Sequence, residues 1–274
     1  MEQKAFATEH GHIVYWVSHP AADLAADAPW LVLVPGLTAD HTLFAPQLEH
    51  FASRANLIVW DAPAHGASRP FPLSFGMGDY ARWLHAIMEM EGAHRPILVG
   101  QSLGGYVSQA LLDLFPSTAA GFVSVDSAPL KKRYMKNWEV WALRHTRLMY
   151  LSIPWKLLVS WGCAGTAETP EGQANMRAMM LSYGKREFCE LAAHGYRMLA
   201  DAVDAQRPYE LDCPTLLLCG ERDKAASTRR YNRAWAQAEG LELVWVPDAG
   251  HNSTVDNPAF VNGQIERFVD AVRE

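Results

Sequence analysis

The stretch LVGQSLGGYVSQALLDLF, residues 98–115, constrains this chain more than any other. An apolar run of strand type stops at Val99, and a helical pattern follows from Gly105 to Phe115. One serine, Ser102, stands at the corner between Gly100 and Gly104. A strand that turns straight into a helix has no room for side chains at the corner, so glycine is needed there. The same turn pushes one side chain out at the top of a sheet. It also sets that hydroxyl near a helix N-terminus, where free N–H groups and the helix dipole favour developing negative charge.

Such a corner needs a sheet of strands followed by helices, and the rest of the chain supplies one. KAFATEH and IVYWVSH flank His10-Gly11-His12 as an antiparallel hairpin. PWLVLVPG, NLIVWDAP, RPILVG, GFVSVD, PTLLLCGERD and LELVWVPD read as buried strands. PQLEHFAS, GDYARWLHAIMEMEG, TRRYNRAWAQAEG and the closing PAFVNGQIERFVDAVRE read as helices. Strands alternating with helices give a mostly parallel, doubly wound α/β sheet covered on both faces.

The rhythm stops at Pro129 and resumes after Arg207. Residues 129–207 hold helical pieces broken by Pro154, by Gly162-Cys163-Ala164-Gly165 and by Gly184. An all-helical cap is therefore expected after the sixth strand, on a core built from residues 1–128 and 208–274. The segment is rich in Trp and Met, and so small a piece cannot easily bury them alone. They are expected to line a site under the cap, with Trp138, Trp141, Met149, Trp155 and Met180 at the substrate. The basic run Lys131, Lys132, Arg133 and Lys136 reads as a solvated face.

Apolar residues make up 49% of the 274 and charged residues 20%, enough for a large core. The formal charge is −6, with no basic tract, so nucleic acid is not an expected partner. No apolar run is long enough to span a bilayer and no signal peptide is read, so a cytoplasmic protein without a membrane partner is expected. Cys163, Cys189, Cys213 and Cys219 lack CxxC spacing and read as free thiols in a reducing compartment. The sequence leaves the oligomeric state open.

A serine hydroxyl is a weak nucleophile until a histidine takes its proton and an acid fixes the imidazole. GERDKAAS puts Asp223 in the loop after one buried strand, and DAGHNS puts His251 in the loop after the last. Both loops leave the sheet edge at which Ser102 stands. Asp126, after GFVSV, and Glu221 are competing acids. His65 in DAPAHGAS reads as a hydrogen-bonded turn residue. His10, His12, His94, His145 and His194 show no partner pattern, and His41 lies near the loop that would face the site.

These pieces resemble the α/β-hydrolase fold superfamily over nearly the whole chain. The resemblance rests on VPGLTADHTLF, DAPAHGAS, GQSLGGYV, GERD and DAGHN. It implies Ser102 as nucleophile, His251 as base and Asp223 as acid. It also implies an oxyanion hole of the Leu37 and Leu103 N–H groups. Pro35-Gly36-Leu37 stands where many relatives carry His-Gly, so a side-chain role there is lost while the backbone donor remains.

The reaction so implied is hydrolysis of a carboxylic ester of a small or medium apolar substrate, a small molecule, with no metal or organic cofactor. Relatives with the same triad cleave C–C bonds or cyanohydrins, or make peracids. A ligand sensor with slow turnover is the reading from another class.

Overall fold

The computed structural model describes residues 1–21 and 27–273. Its eight strands are β1 (Glu2–Thr8), β2 (Gly11–Ser18), β3 (Trp30–Val34), β4 (Asn56–Trp60), β5 (Ile97–Gln101), β6 (Gly121–Val125), β7 (Thr215–Gly220) and β8 (Glu242–Val246). They form one sheet in the order β1-β2-β4-β3-β5-β6-β7-β8. β1 and β2 make the expected hairpin, with Thr8 opposite Gly11, and β2 joins β4 antiparallel. All pairings from β4 to β8 are parallel.

Successive strand residues feed opposite faces, as a period of two requires. Val32, Val34, Ile58, Trp60 and Leu98 pack on one side, and Leu31, Leu33, Leu57, Val59 and Val99 on the other. Both faces are covered, so these strands read as unbroken apolar runs. The core helices are α1 (Ala45–Phe51), α2 (Met77–Met90) and α3 (Leu103–Leu114), with others after β7. α3 begins directly after Ser102, two residues earlier than the sequence pattern predicts.

Between β6 and β7 lie a short 3-10 turn (Lys132–Tyr134) and five α-helices. The helices are α4 (Asn137–Arg144), α5 (Thr146–Ser152), α6 (Trp155–Thr166), α7 (Pro170–Ser182) and α8 (Lys185–Asp204). After β7 come α9 (Thr228–Glu239), α10 (Ser253–Asp256) and α11 (Pro258–Arg273); Glu274 of the expected closing helix lies outside the described residues. The glycines at 162 and 165 do not break a helix, contrary to expectation, because α6 runs through both. Gly162 instead lets α7 approach: a Cβ there would meet Met180 Sδ at 2.8 Å. Val140, Leu158, Met179, Phe188 and Met198 of these helices share one apolar cluster with Leu84 and Leu103 of the core. The inserted helices thus have no separate core of their own among the described residues.

Three of the four basic residues at the start of the insertion are paired. Lys131 and Arg133 meet Glu239 at 2.9 and 2.6 Å, and Lys132 meets Asp204 at 2.7 Å. The four cysteines are free.

Candidate active site

The corner after β5 is as tight as its glycines imply. A Cβ on Gly100 would lie 2.6 Å from the backbone of Gly104, and one on Gly104 would overlap the Val34 carbonyl. Ser102 itself has φ 50° and ψ −114°. Only a few per cent of non-glycine residues adopt positive φ, and the strain aims this side chain away from the sheet.

His251 Nε2 lies 2.9 Å from Ser102 Oγ, and His251 Nδ1 lies 2.9 Å from Asp223 Oδ2. With the carboxylate as acceptor, Nδ1 carries the proton and Nε2 is free to accept one from the serine. Asp223 is buried and takes a second hydrogen bond from the Ala225 N–H at 2.7 Å. Burial pushes the His251 pKa down, but the charge and hydrogen bond of Asp223 more than offset it, so the net shift is upward. Among the described residues, the Leu37 and Leu103 N–H groups have no hydrogen-bond partner. Leu103 is the first residue of α3, where an N–H has no intrahelical acceptor.

Asp126 does not touch His251. It accepts from the Gly220 N–H at 2.7 Å, the Ser253 N–H at 3.0 Å and Ser253 Oγ at 2.6 Å. It therefore ties the end of β6 to the ends of the two loops that carry Asp223 and His251. Burial, then the charge of Asp223, pushes its pKa up to about 7. Glu221 is exposed. Gln101, beside Ser102, holds the His251 carbonyl through Nε2 at 2.8 Å. Sequence reasoning passed over Gln101, although it is one of the two variable positions of the motif.

His65 is fully buried and bonds the Pro63 carbonyl at 2.9 Å, and burial lowers its pKa to about 4. His41 is 2.9 Å from Asp61 and stacks on Trp16. Neither faces Ser102. Two groups of metal-type donors lie close together: Asp40, His41 and Asp61, and Asp126, Cys219 and Asp223. Asp61 and Asp126 are engaged by backbone N–H groups in both.

A cavity of about 190 Å³ opens on Ser102 and His251. One wall is the Leu37–Ala39 loop and α3, and the other is the inner face of the inserted helices. Of the five cap residues expected at the substrate, Met180 is in the cavity wall, and Trp138, Trp141, Met149 and Trp155 are not. Trp138, Trp141 and Met149 are exposed on outer helix faces. Trp155 packs on Phe188 at 5.5 Å between ring centres, one layer behind the cavity. The wall is built instead by Phe188, Ala192, Gly195, Tyr196 and Leu199 of α8, with Tyr106, Tyr150 and Leu158. That α8 stripe repeats at helical spacing and was readable as one face.

A family model described as the alpha/beta hydrolase fold matches residues 29–258. The 2-succinyl-6-hydroxy-2,4-cyclohexadiene-1-carboxylate synthase of Salmonella arizonae is 29% identical over 256 residues, covering 88% of this chain and 94% of that protein. A thermophilic esterase from Thermogutta terrifontis superposes with a TM-score of 0.77 at 21% identity, over 100% of both chains. The enol-lactonase from Burkholderia xenovorans LB400 superposes at 0.75 and 21% identity, over 97% of this chain and 100% of that one. Likeness at such identities speaks to the fold alone. The family model spans β3 to β8 and every loop that carries Ser102, Asp223 and His251, and the chain belongs to the α/β hydrolase fold family.

Proposed function

We propose that this protein hydrolyses carboxylic esters of small, uncharged, largely apolar acyl groups through an acyl-enzyme on Ser102. The observation that carries this reading is a hydrogen-bonded Asp223–His251–Ser102 chain ending in a cavity with no Lys, Arg, Asp or Glu in its lining. Ser102 Oγ attacks the ester carbon while His251 Nε2 takes its proton. The carbonyl oxygen, now an oxyanion, accepts from the Leu37 and Leu103 N–H groups. His251 returns the proton to the departing alkoxide, leaving the acyl group on Ser102. It then takes a proton from water, whose oxygen attacks the acyl carbon; the bond from that carbon to Ser102 Oγ breaks, His251 gives the proton to Ser102 Oγ, and the acid leaves. No metal or organic cofactor enters these steps.

The lining supports the choice of substrate. A carboxylate buried there would lose its hydration with no cation to offset the loss. The product named for the Salmonella relative carries a succinyl and a carboxylate group, and in this chain such groups would meet no charged partner in the cavity. A panel of p-nitrophenyl esters and simple lactones, run beside vinylogous diketo acids, tests the reading. Turnover of neutral short-chain esters, with fluorophosphonate labelling at Ser102, is expected. Faster C–C cleavage of the diketo acids than of any ester overturns it, as does a single slow turnover followed by tight product binding.

A further inference from the structure

We propose that the outer face of the inserted helices docks on an anionic lipid surface. The inference does not depend on the reaction proposed above. Ten large apolar side chains are exposed among the described residues, and seven of them lie between Trp138 and Leu181. Trp138 and Trp141 of α4 are 64% and 62% exposed, Leu148 of α5 is 73% exposed and Trp161 of α6 is 59% exposed. Monomeric surfaces carry scattered apolar residues, but a concentration of this kind marks a binding face.

The arrangement is ordered. Trp138 and Trp141 lie one turn apart on α4, Trp141 stacks at 4.2 Å on His145 at the junction of α4 and α5, and Leu148 is exposed on α5. The opposite side of the same two helices is fastened to α8. Arg144 meets Asp201 at 2.7 Å, Arg147 pairs with Glu190, and Tyr150 bonds Tyr196 at 3.3 Å. On α6 the exposed Leu157 and Trp161 lie four residues apart, while Leu158 lines the cavity. Each helix pair thus turns one side to the cavity or α8 and an apolar side outward.

Charge selects the occupant. Residues 129–207 hold twelve Lys and Arg against seven Asp and Glu, whereas the rest of the chain holds twelve against twenty-three. Lys136 stands two residues before Trp138, Lys156 next to Leu157, and Arg177 one helical turn before Leu181; all three are exposed, and none has an ion-pair partner among the described residues. Unpaired cations among exposed Trp and Leu match a surface with anionic headgroups above acyl chains, where Trp sits at the boundary. A two-fold pairing of this face with itself would set like charges against each other. The acidic remainder would be repelled, which orients the insertion toward the membrane. The expectation of no membrane partner rested on the lack of a spanning run and of a signal peptide, neither of which bears on surface docking. No helix among the described residues is long and apolar enough to span, and surface docking needs none.

Full-length protein is sedimented with vesicles of phosphatidylglycerol and phosphatidylcholine, and with phosphatidylcholine alone. Binding to the anionic vesicles alone is expected, with loss in high salt and a blue shift of Trp fluorescence. Trp138→Ser/Trp141→Ser/Trp161→Ser and, separately, Lys136→Glu/Lys156→Glu/Arg177→Glu are each expected to weaken binding at least tenfold. Both leave turnover of a water-soluble ester unchanged, which also reports intact folding. No binding by the wild type, or binding unaffected by the charge reversals, overturns the proposal. So does a dimer in light scattering that the Trp substitutions convert to monomer, which would assign the face to a second copy.

Discussion

Ser102 holds a positive φ that a residue with a Cβ adopts at a cost of about 1–3 kcal/mol. Ser102→Gly should relieve that strain and raise the melting temperature while abolishing turnover; Ser102→Ala should abolish turnover without the gain. Calorimetry beside an ester assay checks both, and substantial activity in a folded variant would remove Ser102 from the reaction. The two buried aspartates should separate as cleanly. Asp223→Asn leaves the wrong His251 tautomer and should cost up to about ten-thousand-fold in kcat. Only neutral His251 can accept the serine proton, so activity falls as pH drops through its raised pKa. Removing the Asp223 charge should move that acidic limb to lower pH, as a pH–rate profile will show. Asp126→Asn should retain most activity but lose roughly 1–3 kcal/mol of stability, since an amide cannot accept all three bonds that the carboxyl takes. The Asp126 pKa is raised on folding, so its stabilising contribution is full at low pH and is lost as pH rises through about 7. The stability gap between wild type and Asp126→Asn should therefore narrow from about pH 4 to about pH 7 and stay level above that.

Elements were legible wherever local chain geometry sets them. The Ser102 corner, the loops of Asp223 and His251 and the helices around the sheet follow from glycine placement and from periods of two and 3.6. A helix's apolar face can be read from its spacing, as on α8, but which of those faces turns to the cavity follows from docking, which no local pattern encodes. The tryptophans drew attention by size, yet Trp138 and Trp141 face outward while the plainer α8 stripe builds the wall. Gly195 shows why α8 matters. A Cβ there would overlap the Leu37 side chain, whose backbone N–H faces the site in the proposed reaction. Gly195→Ala should therefore displace that loop and lower kcat, at about 1–3 kcal/mol of overpacking. Leu37→Ala keeps the N–H and clears the space, so the double variant should recover much of the lost kcat. Failure of the second substitution to rescue the first would place the damage elsewhere in α8.

At the scale of the whole molecule, the cavity belongs to neither part alone. The sheet edge supplies Ser102 and His251, and the inserted helices supply most of the apolar wall over them. Its volume is about 190 Å³, and a cavity of about 150 Å³ is enough for a benzene-sized guest. Each methylene of an acyl chain that fits should add about 0.8 kcal/mol of transition-state binding, close to fourfold in kcat/KM. The rise should end near about six carbons, because a longer chain must displace packed side chains rather than fill space. Met180 narrows the wall between α6 and α7, so Met180→Ala should move the break to longer chains and lower kcat/KM for the shortest esters. A p-nitrophenyl ester series from acetate to decanoate, run on both proteins, measures the two breaks. A flat profile, or one that Met180→Ala leaves in place, would mean that the acyl group does not lie in this cavity.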